Sequence, residues 1–537
     1  MKSKVKRLVA ALGTAVVAAS GLIAVAPTAS AANLTEFHEQ DVDWAACDGF
    51  AELQCATITV PLNYRKPNAG RLQVAISKRP ASDPAKRRGV LLLNPGGPGG
   101  PGLDLPLYFA TNRIAETYDL IGFDPRGVGK SSPLLCEAAD QVGALTTRPT
   151  DAEFANWTAT ARAAEEACAR AAGGIRPYVN TPNTARDMDV IRAVLDEKKI
   201  NYLGFSYGTY LGAVYGTLFP TRLDRNVLDS SVHPEWIWRE QFKAQSRAIR
   251  DNVDTFFAWV AERDSRYGFG TTAAEVLATS EELSARLAVE PWEGYLDQST
   301  WDVVVGANAR YREIWDLLAE DMALIRRDVL GEEVAPGRVA DAVAATRALY
   351  ELGIAQTVPG VFQTVTCEAD WPTDLNTYYD DMRRYRVQYP YGFGVLRAAP
   401  TECTFRTFKT TDRVTDLKRT RYPVGLVVQA DSDPQTHYDG GPAMATRLDD
   451  ALVSVSDEGT HGLYARNECV TALVDRYLVD GVLPGSRVEC PGAPRPDVPA
   501  DGAFAATADA ERPAPASDLA ARVRDFVDRK KFTGPGY

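Results

Sequence analysis

The sequence predicts an α/β protein built on a mostly parallel central sheet, with one large, mainly helical insertion. Three observations carry this reading. Six short apolar runs each end in a loop rich in Gly, Asp or Ser. That pattern suits parallel strands buried on both faces, with working loops at their C-terminal ends. Helical periodicity fills gaps between the runs, and a strand followed by a helix, repeated, means crossover connections within one sheet. Between residues 233 and 415 the apolar runs stop and helical patterns take over.

The chain begins with a segment of its own. Lys2, Lys4, Lys6 and Arg7 precede a nearly continuous apolar run over residues 8–26, and Ala29-Ser30-Ala31 follows. A basic start, an apolar stretch and small residues read as a secretory signal peptide over 1–32, cut near Ala31 or Ala32. It contains no Cys to carry a lipid anchor. The expectation is an extracellular protein that leaves the membrane once the signal is cut. The formal charge of −12 becomes −16 when the four basic residues leave, which argues against a nucleic-acid partner. With 45% hydrophobic and 24% charged residues, the remainder has an ordinary soluble composition.

Residues 33–232 are expected to form the first part of the core. The run GVLLL (89–93) leads into NPGGPGGPG, and YDLIGF (118–123) leads into DPRGVGKSS. Residues 184–199 place Met188, Ile191, Val194 and Leu195 near helical spacing with charges opposite. They end where the run 200–205 begins, and that run leads into GFSYG. The run 224–228 leads into DSS. The insertion, 233–415, has helical patterns at 241–262 and 340–352. The second part of the core, 416–537, holds VGLVVQ (424–429) before ADSDPQT, and 451–456 before DEGTHG. A Pro- and Ala-rich stretch, 491–515, reads as a loose surface segment, and 516–530 as a last short helix.

All eight cysteines, Cys47, Cys55, Cys136, Cys168, Cys367, Cys403, Cys469 and Cys490, follow the signal segment. An even number in an oxidising compartment predicts four disulfides. Many pairings are formally open. Sequential pairing closes the shortest loops, so 47–55, 136–168, 367–403 and 469–490 are expected. Metal ligation is disfavoured, because there is no C-x-x-C and only four His.

The chemistry centres on Ser206, in NYLGFSYGTYLG. A serine between glycines at a helix start also arises from packing alone. Here a strand precedes it and a small-residue helical stretch follows, the context in which a sharp turn presents a nucleophile above a sheet. Gly204 and Gly208 remove side chains that would collide there, and the Tyr207 N–H would face a developing oxyanion. Such a serine needs a base. In strand–turn–helix enzymes of this kind the acid and then the base follow the serine in the chain. His461, in EGTHG after the last apolar run, fits the base. His233 follows the serine too closely, and His437 lies in the loop where the acid should be. In that loop Asp431 and Asp433 compete. The second oxyanion donor is expected from the glycine loop, with Gly97 chosen. No G-K-S/T closes that loop, so it does not read as a phosphate cradle.

NPGGPGGPG, DPRGVGKSS, GFSYG, DSDPQT and THG, in that order, resemble the α/β-hydrolase-fold peptidases related to proline iminopeptidase, and most of all the secreted tripeptidyl aminopeptidases of Streptomyces-type bacteria. The likeness covers most of the chain after the signal segment, including a TAP-like C-terminal region. It implies an α/β-hydrolase fold with a helical cap, and Ser206, Asp433 and His461 as nucleophile, acid and base. It further implies no metal or organic cofactor. The expected partners are peptide and protein substrates with free N-termini, acted on by a monomer. Related iminopeptidases carry a His before Gly-Gly-Pro-Gly; Asn94-Pro95 here matches the tripeptidyl branch instead. An aminopeptidase must hold an α-ammonium group, and a carboxylate pair would do so through charge-assisted hydrogen bonds. Glu368 and Asp370, beside Cys367, are the candidates. A carboxylesterase or lipase on the same fold, or a catalytically silent surface-binding protein, are the alternatives.

Overall fold

The computed structural model describes residues 34–172, 174–353, 360–504 and 518–532. The expected signal peptide lies outside the described residues. Ten strands form one sheet: β1 (Ala45–Cys47), β2 (Phe50–Pro61), β3 (Arg71–Arg79), β4 (Val90–Asn94), β5 (Asp119–Phe123), β6 (Ile200–Phe205), β7 (Leu223–Asp229), β8 (Leu426–Ala430), β9 (Ala451–Ser456) and β10 (Arg487–Pro491). Their order is β1-β2-β3-β5-β4-β6-β7-β8-β9-β10. The pairs β1/β2, β2/β3 and β3/β5 are antiparallel, and the remaining pairs are parallel.

The six apolar runs become β4 to β9. Every residue of β4, β6 and β8 is buried, as helices on both faces of a parallel sheet require. The other four strands were not expected. In β2 the inward Leu53, Ala56, Ile58 and Val60 are separated by exposed or half-buried residues, and β10 is an edge strand whose only buried residue is Cys490. One-sided and edge strands carry no continuous apolar run.

The sheet sets the positions of the working loops. Asn94 of β4 pairs with Gly204 of β6, and Phe205 of β6 pairs with Asp229 of β7. The glycine loop, the Ser206 turn and the DSS turn therefore leave neighbouring strands at one edge.

Between β7 and β8 the described chain contains helices and no strand. The longest, Arg239–Ala261, buries Val253, Phe256, Phe257 and Val260 at helical spacing. With Trp301, Trp315 and Leu318 they form an apolar core of their own, distinct from the two clusters that hold the residues of the sheet. The last helix, Leu519–Phe532, places Leu519, Val523, Phe526 and Val527 in that same core. The chain thus returns from the sheet to brace the cap. Of the span read as a loose segment, the described part is mostly without regular structure, apart from β10 at its start and the short helix Asp501–Phe504.

The cysteines pair as 47–55, 136–168, 367–403 and 469–490, with none free. Among the described residues no helix is long and apolar enough to cross a membrane, and no cluster of His, Cys, Asp and Glu could hold a metal ion.

Candidate active site

Ser206 directly follows β6 and precedes the helix Tyr207–Leu218. Its backbone sits at φ 58°, ψ −125°, a region that costs a non-glycine residue about 1–3 kcal/mol and persists where surrounding structure enforces it. The enforcement is visible. Ser206 N–H donates to the Asp229 carbonyl at 3.0 Å, and Thr209 N–H donates to the Ser206 carbonyl at 2.9 Å. The hydroxyl does not cap the helix, which separates this serine from an ordinary helix-start serine. Gly208 has no room for a side chain, since a Cβ there would stand 2.7 Å from Asn94 Oδ1.

The glycine loop lies against this turn. Gly96, at φ 97°, is close enough that a Cβ would come 2.8 Å from Ser206 Cβ and 3.2 Å from Tyr207 N. Asn94 fixes it by accepting the Gly96 N–H on Oδ1 at 3.1 Å. At the far end Asp124 accepts the Gly102 N–H at 2.8 Å. Among the described residues the N–H groups of Gly97 and Tyr207 have no protein partner, so both remain open to a ligand oxygen.

His461 and Asp433 meet at 2.7 Å through Nδ1 and Oδ2, and both residues are buried. Asp433 also accepts the Gln435 and Thr436 N–H groups on Oδ1, at 2.8 and 3.1 Å, and the Thr436 hydroxyl on Oδ2 at 2.7 Å. Burial pushes its carboxyl up, but the His461 ring and these donors outweigh burial and hold it below the usual carboxylate range. With Nδ1 committed to the aspartate, Nε2 is the ring nitrogen left to take a proton. Asp431 has a different task. It is exposed and accepts the N–H groups of Asp457 and Glu458, at 2.8 and 3.0 Å. His437 lies beside Trp236 and Asp439.

Residues 89–319 match the family model described as alpha/beta hydrolase fold, and residues 389–490 match the one described as TAP-like protein. Over 483 residues the chain is 34% identical to the tripeptidyl aminopeptidase of Streptomyces lividans, covering 85% of this chain and 88% of that one. The chain belongs to the tripeptidyl aminopeptidase family of α/β hydrolases. It is also similar to serine protease Hip1 of Mycobacterium tuberculosis, at 26% identity over 489 residues (84% of this chain, 91% of the relative). Carboxylesterase B of the same species is 28% identical over 484 residues (83% and 89%).

In this tripeptidyl aminopeptidase-family enzyme the expected carboxylate pair does not share a site. Asp370 is exposed, whereas Glu368 faces inward, with Oε2 accepting the Thr181 N–H and Oε1 accepting the Thr181 hydroxyl, each at 2.8 Å. Burial pushes the Glu368 carboxyl up to about 7, against those two bonds. Alternate residues on an irregular segment point in different directions, and sequence spacing carries no sign of which is inside.

Two residues behind the histidine went unrecognised in the sequence. Asp229 accepts the N–H groups of Leu463 and Tyr464, at 3.0 and 2.7 Å, and Ser230 Oγ accepts the Gly462 N–H at 2.8 Å. Together they anchor the loop that carries His461 to the strand beside the Ser206 turn. Burial raises the Asp229 carboxyl to about 6, even against its backbone donors. The available signal was the DSS at the end of a buried strand next to β6. A cavity of about 880 Å³ lies behind this loop, lined by Tyr108, Phe205, Gly462 and Arg466 among others; Ser206, Asp433 and His461 do not line it.

Proposed function

We propose that the enzyme is a secreted serine exopeptidase that removes tripeptides from the free N-termini of peptides and proteins. Ser206 attacks the carbonyl of the third residue. His461 takes the hydroxyl proton on Nε2 and returns it to the leaving amine, and Asp433 holds the ring in the required tautomer. The N–H groups of Tyr207 and Gly97 receive the tetrahedral oxyanion, worth about 3–4 kcal/mol for each donor in comparable enzymes. Water then hydrolyses the acyl-enzyme. The helical cap limits how much peptide fits beyond the scissile bond.

The observation that carries this reading is the buried 2.7 Å Asp433–His461 hydrogen bond, on a loop tied to the strand beside the strained Ser206 turn. The relative named tripeptidyl aminopeptidase supports the tripeptide length, and the four disulfides support export. A second reading, carboxylesterase, is supported by the relative of that name. One panel separates them: dipeptidyl, tripeptidyl and tetrapeptidyl amides, free and N-acetylated, beside a simple ester. The exopeptidase reading expects the free tripeptidyl amide to be cleaved best and its acetylated form scarcely at all. Equal rates on free and acetylated tripeptides sink it, and turnover of the ester alone favours the esterase.

A further inference from the structure

Residues 361–368 of the cap reach two segments that lie against the Ser206 turn, the glycine loop and Thr181. Their helix, Val361–Thr366, lies on the glycine loop, where a Cβ at Gly99 would come 3.3 Å from Val361 Cβ. Two residues beyond its end comes Glu368, only 6% exposed. Its two oxygens are occupied by the N–H and hydroxyl of Thr181. Thr181 opens the helix Thr181–Val194, so the carboxylate also meets the positive end of that helix. The Thr181 hydroxyl lies 2.9 Å from the Tyr207 phenol. A threonine hydroxyl has one proton. While it donates that proton to Glu368, the phenol has to donate to the threonine. With Glu368 ionised, the chain therefore runs one way, from Tyr207 to Thr181 to Glu368. The Tyr207 ring is held from another side by Trp238, with centroids 5.7 Å apart.

We propose that Glu368 is a positioning residue for the oxyanion hole, acting through Thr181 on the Tyr207 side chain and so on the Tyr207 backbone N–H. This rests on the proposed role of that N–H. A phenol held at its hydroxyl by Thr181 and on its ring by Trp238 restrains the backbone that carries it, and so keeps the first N–H of the helix in place beside Ser206. Glu368 gives the cap its own hold on this geometry, alongside the Val361 contact with the glycine loop.

The test uses the full chain with its disulfides intact and measures the rate at which a fluorophosphonate labels Ser206. Its phosphoryl oxygen enters the same hole, and no peptide is needed. Glu368→Gln and Tyr207→Phe should each slow labelling about tenfold, a fraction of the loss seen when a donor is deleted outright. The double variant should be no slower than the worse single one, because both break one chain. With a free tripeptidyl amide, kcat should fall in parallel while KM stays within about twofold. Should Glu368→Gln fail to fold, Tyr207→Phe carries the test, since it removes one oxygen from a ring that stays packed. Labelling at the wild-type rate in either variant, or losses that multiply in the double, overturns the proposal. So does a raised KM confined to free-amine peptides with labelling unchanged, which would return Glu368 to amine recognition. A wild-type enzyme that labels normally but cleaves no peptide removes the exopeptidase reading and leaves this test in force.

Discussion

Asp321→Asn should stabilise the protein by an amount that grows with pH. Asp321 lies on the cap helix Trp315–Val329 and is fully buried. Its Oδ2 is 2.9 Å from the Thr346 hydroxyl, and its Oδ1 has no partner among the described residues. The same hydroxyl is 2.8 Å from the Ala342 carbonyl. It has one proton, so both contacts are satisfied together only when Asp321 is protonated and donates to Thr346. Burial, with Asp341 and Glu320 adding negative charge nearby, raises the carboxyl to about 8. The unfolded chain loses that proton near 3.9. In the interval the folded state holds one more proton than the unfolded state. The stability this group contributes is full below about pH 4 and is lost as pH rises toward 8. At about 1.4 kcal/mol per pH unit the loss reaches about 4 kcal/mol at pH 7. An amide keeps the donor and the shape and has no proton to lose. Thermal melts of both proteins from pH 4 to 9, disulfides intact, should show nearly equal midpoints at pH 4 and a gap that widens up to about pH 8. A gap independent of pH, or a variant that melts below the wild type at pH 8, would refute the reasoning.

Ser206→Ala and His461→Ala should each lower turnover on the order of 10⁶-fold and the double variant little more, because nucleophile and base act as one unit; near-wild-type turnover in either removes that residue. Asp433→Asn should cost about 10⁴ in kcat by favouring the wrong tautomer. Asp431→Asn should instead act on stability, through the backbone N–H groups of Asp457 and Glu458 that Asp431 accepts; a larger kcat loss there reverses the choice of acid. Gly96→Ala should lower kcat about 100-fold or more, since the new Cβ would lie 2.5 Å from the Phe205 carbonyl and 2.8 Å from Ser206 Cβ; unchanged kinetics would mean that the loop and the turn are not held together as described.

The strands that hold the site were legible in the chain because each carries a short run of buried, mostly apolar residues. The Ser206 turn was legible for a related reason. A backbone forced to φ 58° between two crowded glycines leaves its mark as a fixed local pattern. The cysteine pairs were legible because short loops close at the least entropic cost. Strands β1 to β3 were not, since exposed and half-buried residues interrupt their apolar ones.

The choice between Asp431 and Asp433 belongs to the tertiary structure. The two stand two residues apart in one loop, and only the packing sends one to His461 and the other to the backbone after β9. The same holds for Glu368, whose partner Thr181 lies 187 residues away, and for Asp229, which holds a loop 234 and 235 residues distant. Sequence alone determined where a nucleophile, a base and an oxyanion loop could form, because each depends on a local backbone requirement. Which carboxylates serve them, and which the protein keeps for holding itself together, was decided by contacts between segments far apart in the chain. A carboxylate's role is set by the donors that surround it after folding, and no local pattern encodes those.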